Sequence, residues 1–226
     1  ERELGSITPG RRADFIVTSS IDNLPIDVVF ARGERVAENG KLLTKCPHYE
    51  WPQTVRETVN LGKKLEVKDF VISAPMGVSS VKAKVIGVIE NQAPTKALEF
   101  DLPVDQGNVQ VEGDVCYLSL VERHRGTGAV VNGFVSGFGY TEPMAIASSV
   151  AHDSHHMIVV GTNQEMMASA ANRLGEVGGG VSVWKDGSEV ALVELPIAGL
   201  MSDSKASEVA VKAQAIVSAM IDCGCT

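Results

Sequence analysis

Apolar residues along this chain keep two different rhythms, and the change between them divides it. Up to about residue 46 they come in short runs: Phe15-Ile16-Val17, Val28-Val29-Phe30-Ala31 and Val36-Ala37. Pro9-Gly10 precedes the first run, and Arg32-Gly33 and Asn39-Gly40 separate or follow the others as hairpin turns. So little sheet cannot bury both faces by itself. Residues 1–46 are therefore expected to be strands of a larger sandwich. Residues 47–64, around Pro47, Trp51 and Pro52, are expected to be the connection onward, with His48 structural within it.

From residue 65 to 226 strand and helix patterns alternate. Val81–Ile89, Val115–Val121 and Met157–Val160 have strand-like apolar content, the last closed by Gly161. Thr162 to Glu165 fits a capping box, in which side chain and backbone satisfy each other's free groups. Met167, Ala170, Ala171, Leu174 and Val177 then fall at helical spacing until Gly178-Gly179-Gly180 stops the helix. Met166 and Met167 read as core, or as one core and one exposed. Val181–Trp184 and Val190–Leu195 form a hairpin across Asp186-Gly187. A final helix begins near Ser202–Ser204, with Ala206, Val209, Ala213, Ile216 and Met220 as its buried stripe. No regular βαβ rhythm links these elements. The expected class is α+β: a short β-sandwich segment, then a mixed C-terminal domain over 65–226.

Composition narrows the function classes. With 44% hydrophobic and 21% charged residues, the 226-residue chain is an ordinary folded protein of one or two domains. Its formal net charge of −8, with scattered Lys and Arg, argues against nucleic-acid binding. No apolar run approaches the ~20 residues that cross a bilayer, so no membrane partner is expected. ERELGSITPG carries no signal-peptide pattern and no initiator Met, and reads as a chain entered partway. Four cysteines (Cys46, Cys116, Cys223, Cys225) are too few and irregular for a disulfide framework, so a reducing cytoplasm is the expected setting. Cys223-Gly224-Cys225 lacks redox or zinc spacing and reads as a frayed terminus.

The densest polar group is Ala151-His152-Asp153-Ser154-His155-His156, with three of the five histidines just before an apolar strand. Imidazoles can ligate metal or carry protons, and a carboxylate can fix their tautomer. The same residues also fit a turn whose Asp and Ser satisfy backbone amides while the histidines face solvent. Glu122-Arg123-His124-Arg125-Gly126-Thr127-Gly128 follows the Val115–Val121 strand as a second candidate loop. Its bland counterpart is a solvated loop with Glu122 paired to Arg123 or Arg125. Gly133 to Gly139 make no phosphate loop, for no Lys-Ser/Thr follows; they permit a tight backbone path or a flap. The chain contains no His-x-His and no HxE…PCxxC signature.

Two stretches resemble known proteins. Gly5-Ser6-Ile7-Thr8-Pro9-Gly10-Arg11-Arg12-Ala13-Asp14-Phe15-Ile16-Val17 resembles the amidohydrolase segment that leaves the metal-binding barrel and completes a small β-sandwich. Glu122–Gly128, Gly133–Gly139, Ala145–His155, Val159–Asn163, Ala171–Leu174 and Pro196–Ser202 together resemble the C-terminal domain of adenine deaminases. That likeness is weakest between about 50 and 110. The chain departs from the family pattern at His156, where an Asn is usual, and at Tyr140-Thr141-Glu142-Pro143.

The resemblance implies hydrolysis of adenine to hypoxanthine and ammonia on a dinuclear iron or manganese centre. Such metals lower the pKa of bound water and supply the nucleophile. The ligands are expected from a barrel missing here, with none in this chain, and a homo-oligomer is expected. His152, Asp153 and His155 are then the catalytic candidates, and Ser154, Glu122 and His124 the substrate-binding ones, as a polar lid over the barrel mouth. The resemblance tips the loop toward function over a bare turn. A bracing or oligomerisation module, and another amidohydrolase acting on a cyclic amidine or amide, are the rival readings.

Overall fold

Four tight turns shape the strand pairs. Arg32-Gly33, Asn39-Gly40, Gln106-Gly107 and Asp186-Gly187 each place two successive residues at positive φ, between 48° and 83°. That is the geometry of a two-residue hairpin turn, and its second position is cheap only for glycine. The computed structural model describes residues 2–45, 49–140 and 142–225. Cys46, Pro47 and His48 lie outside the described residues, so the expectation for His48 does too.

The chain divides into two compact units, Glu1–Glu50 and Trp51–Thr226. The first is one antiparallel meander of β1 (Phe15–Thr18), β2 (Ile26–Ala31), β3 (Glu34–Glu38) and β4 (Lys41–Leu42). Phe15 stacks on Phe30 across β1 and β2 at 4.7 Å between ring centroids. No described residue of this unit is buried. Ile16 and Val17, which point to opposite faces, are 48% and 43% exposed. This sheet has two apolar faces and covers neither.

The second unit starts with the short helix α1 (Gln53–Arg56) and a 3₁₀ turn at Val67–Phe70. Its sheet holds β5 (Ser80–Gly87), β6 (Lys96–Asp105), β7 (Asn108–Val109), β8 (Val115–Val121), β9 (Val130–Ser136), β10 (Met144–Ser148), β11 (Met157–Gly161), β12 (Gly180–Lys185) and β13 (Ser188–Glu194). The spatial order is β13-β12-β10-β11-β8-β9-β5-β6-β7. Pairing is antiparallel throughout except between β5 and β9, where two residue pairs, Ile86–Val135 and Gly87–Ser136, run parallel. Helices α2 (Gln164–Val177) and α3 (Ala206–Asp222) complete the α+β architecture.

Strand alternation sorts the core into two layers. Tyr117, Val121, Ala145, Ala147, Met157 and Val159 face α2, where Met167, Ala170, Ala171 and Leu174 are fully buried. Cys116, Val135, Met144, Val160, Val183 and Val193 face the other way, toward Ile216, Ala219 and Cys223. The alanines of β10 and Gly161 let α2 lie close, since a Cβ on Gly161 would stand 2.9 Å from the Met167 Cγ.

Several expectations change here. The cap of α2 is Asn163, whose side chain accepts from the Met166 amide at 3.0 Å; the Thr162 hydroxyl instead accepts from the Met144 amide. Met166 and Met167 are both buried. Helix α3 begins at Ala206 and buries Ile216 and Ala219, with Val209 and Met220 only partly covered and Ala206 and Ala213 exposed. The Cys223-Gly224-Cys225 end is not frayed: Cys223 is fully buried, and its amide caps α3. Gly133–Gly139 takes the tight-path form, mostly as β9, with the Gly137 and Gly139 amides each donating to the Asp114 carboxylate at 2.7 Å.

Candidate functional site

Register decides which loops meet. Val121 at the end of β8 pairs with Met157 at the start of β11. The β8–β9 loop (122–129) and the β10–β11 loop (149–156) therefore leave the sheet at one end, side by side. Two further segments close this corner: residues 58–62, and the Ile197–Met201 turn.

Inside the first loop, Glu122 is the organiser. Its Oε1 accepts the His124 and Arg125 amides at 2.5 and 2.8 Å, and its Oε2 accepts the amide and hydroxyl of Thr127 at 3.1 and 3.0 Å. Partial burial works to raise the carboxyl pKa, but these N–H and O–H donors outweigh it and bring it down to about 2. Glu122 thus pairs with neither Arg123 nor Arg125. It folds the loop on itself.

Arg123 goes the other way, into the protein. It is 1% exposed. Its Nε donates to the His155 carbonyl at 2.6 Å, and its two terminal nitrogens donate to the Thr58 and Ala198 carbonyls at 3.3 Å each. Burial lowers its pKa. A guanidinium remains charged regardless. The close fit extends to Gly199, where an added Cβ would come within 2.7 Å of the guanidinium. Nearby, the buried Ser149 hydroxyl donates to the Gly199 carbonyl at 2.6 Å and accepts the Gly180 amide at 2.7 Å.

The histidine loop hangs on this frame. The His155 amide donates to the Ala151 carbonyl at 2.7 Å, and His155 takes φ +50°. His124 reaches across so that its Nε2 lies 3.1 Å from the Ser154 carbonyl. Two imidazole pairs result: His152 with His155, and His124 with His156, each 5.0 Å between centroids. The buried Nδ1 atoms of His155 and His156 have no hydrogen-bond partner among the described residues. His152, Asp153 and Ser154 are exposed. Four of the six residues singled out from the sequence, His152 to His155, share the second loop, and His124 joins them from the first. Glu122 lies in the first loop with both oxygens taken.

Arg123 is the residue sequence reasoning missed. The signal was present: Val115, Tyr117, Ser119 and Val121 form the inward face of β8, and one further alternation step puts Arg123 on it. Asn172 belongs to the same framework, its side-chain amide exchanging two bonds of 2.9 Å with the Leu65 backbone.

The sequence that builds these converging loops matches a family model. The model of the adenine deaminase C-terminal domain matches residues 92–226, and the chain belongs to that family. Its relatives are adenine deaminases: it is 66% identical to the one from Ruegeria pomeroyi and 62% to that from Paracoccus denitrificans, in both cases over the whole chain. Identity is 42% with the Moorella thermoacetica enzyme, over 99% of the chain. The chain spans 38% of the length of each of these relatives.

Proposed function

We propose that this chain is the C-terminal portion of an adenine deaminase, which hydrolyses adenine to hypoxanthine and ammonia, and that its histidine loop closes the active site. The observation that carries the reading is the contrast within that loop. Its backbone is held by Arg123 and His124, while the His155 Nδ1 is left without a partner. Among the described residues only four buried side-chain polar atoms lack a partner, and two of them, the Nδ1 atoms of His155 and His156, lie in this loop.

In this reading His155 and His152 move protons at the departing amine, and Asp153 stabilises the charged imidazole. Ser154, His124 and the Glu122 loop shape the pocket and exclude water. The described residues do not fit a dinuclear iron or manganese centre, because among them no three His, Cys, Asp or Glu side chains gather as ligands. Such a centre belongs with an N-terminal barrel supplied by the rest of the enzyme. A cytoplasmic setting fits the free thiols of Cys116, Cys223 and Cys225. No helix of the described chain is long and apolar enough to cross a membrane. Homo-oligomerisation finds support in α3, where Val211, Val217 and Ile221 are exposed.

A bracing module is the second reading, favoured by the three carbonyls that Arg123 ties together. The proposal is tested by assaying adenine-dependent ammonia release and bound metal in the full-length protein and in the 226-residue chain. The proposal expects turnover in the former alone. Two retained metal equivalents with turnover in the short chain would refute it.

A further inference from the structure

A guanidinium buried with no carboxylate partner is a costly way to hold a fold together. Burying an unpaired charge carries a desolvation penalty that hydrogen bonds only partly offset, so stability alone gives little reason to keep one. Arg123 is that case: among the described residues it forms no ion pair, and its donors go to three backbone carbonyls from chain segments far apart in sequence. The shortest bond, 2.6 Å, falls on His155 itself, the residue at positive φ. The planar fork spreads its donors in fixed directions, so its position specifies the position of what it holds. Gly199 permits the seating, since a side chain there would occupy the guanidinium's place.

We infer that Arg123 is a positioning residue, a three-carbonyl clamp that sets where the His155 imidazole stands. This rests on the reading of the histidine loop as part of the active site, and the test separates the two.

Hydrogen exchange by mass spectrometry and steady-state kinetics are measured on full-length Arg123→Met and Arg123→Lys. Both changes should speed exchange of the amides over 150–156 by roughly tenfold or more while leaving β8 and β11 protected, because the loop opens locally and the sheet does not. Lysine should fail like methionine, since one ammonium cannot span three carbonyls. The kcat should fall by roughly tenfold or more with KM nearly constant, as for a group needed only in the transition state. In Arg123→Ala, which leaves the arginine's space empty, millimolar guanidinium, far below denaturing levels, should restore both readouts, and methylammonium should not. Unchanged loop exchange in both variants overturns the inference. So does exchange that rises evenly across the sheet, or outright unfolding of both proteins, for Arg123 is then a general structural residue. If the loop loosens and is rescued while turnover never changes, the clamp stands and the active-site reading falls.

Discussion

The Nε2 atom of His124 lies 3.1 Å from the carbonyl oxygen of Ser154 and joins two loops that leave neighbouring strands. A carbonyl only accepts, so the ring carries its proton on Nε2 and donates it. His124→Ala should therefore loosen the histidine loop and lower kcat/KM by about tenfold, short of the loss for a group that transfers the proton. His124→Gln, whose amide can still donate, should recover most of it. Equal losses in the two variants would show that the bond has no part in turnover.

His155→Ala should lower kcat/KM of the full-length enzyme by roughly 100-fold, the range for losing a positioned proton-transfer group. That corresponds to ~2.7 kcal/mol of transition-state stabilisation. Asp153→Asn should also be costly, because an amide stabilises an imidazolium poorly. The urea midpoint should barely move in either variant, since this loop is at the surface. Turnover within about threefold of wild type would remove both residues from the active site. Turnover and midpoint falling together would favour the bracing module.

Glu122 makes the stability of its loop pH-dependent in a defined window. Its folded pKa is about 2, against an ordinary value of 4.5. A depressed carboxylate stabilises fully above its unfolded pKa, and that contribution is lost as pH falls toward the folded value. Glu122→Gln should thus cost on the order of 1 kcal/mol at neutral pH once solvent screening is allowed for. The gap between variant and wild type should close between about pH 4.5 and about pH 2. Urea midpoints measured across that range decide it. A gap that stays constant to pH 2 would mean the carboxylate's charge is not what holds the loop.

The meander of β1 to β4 should exchange its amides freely in the isolated 226-residue chain, or else draw a partner onto its faces. It lacks any described buried residue, and a sheet open on both sides is marginal in water. Exchange of the amides over 15–36 in a chain shown by light scattering to be monomeric tests this. Strong protection throughout would establish the meander as self-sufficient.

The sequence was readable wherever a local rule governs. Asn39-Gly40 and Asp186-Gly187 turn as their dipeptides demand, and α2 follows its apolar spacing from Met167 to Leu174. It was least readable where the neighbours decide. Strand β10 is Met-Ala-Ile-Ala-Ser, with small residues that suit α2 lying on it and carry little strand signal. In β6, Leu98, Phe100 and Leu102 do alternate with Glu99 and Asp101, but Pro103 hides the pattern. That proline pairs with Ser80, the first residue of β5, where a missing donor costs the ladder little. At the site, the loop composition announced His152 to His155, whereas Arg123 looked like one more surface charge beside Glu122. Only carrying the β8 alternation two residues past the strand would have turned it inward.

The two-pair parallel seam between β5 and β9 has a mechanical meaning. A long ladder makes neighbouring strands move as one plate, and a short one lets them shift separately. The ribbon of β5, β6 and β7 is joined to the rest of the sheet across such a short ladder, while the strands that carry the histidine loops are joined by five and seven pairs. Such a seam couples the ribbon only weakly to the strands that carry the loops. Substitutions in residues 80–109 should therefore disturb the corner that Arg123 holds less than substitutions in β8 or β11 do.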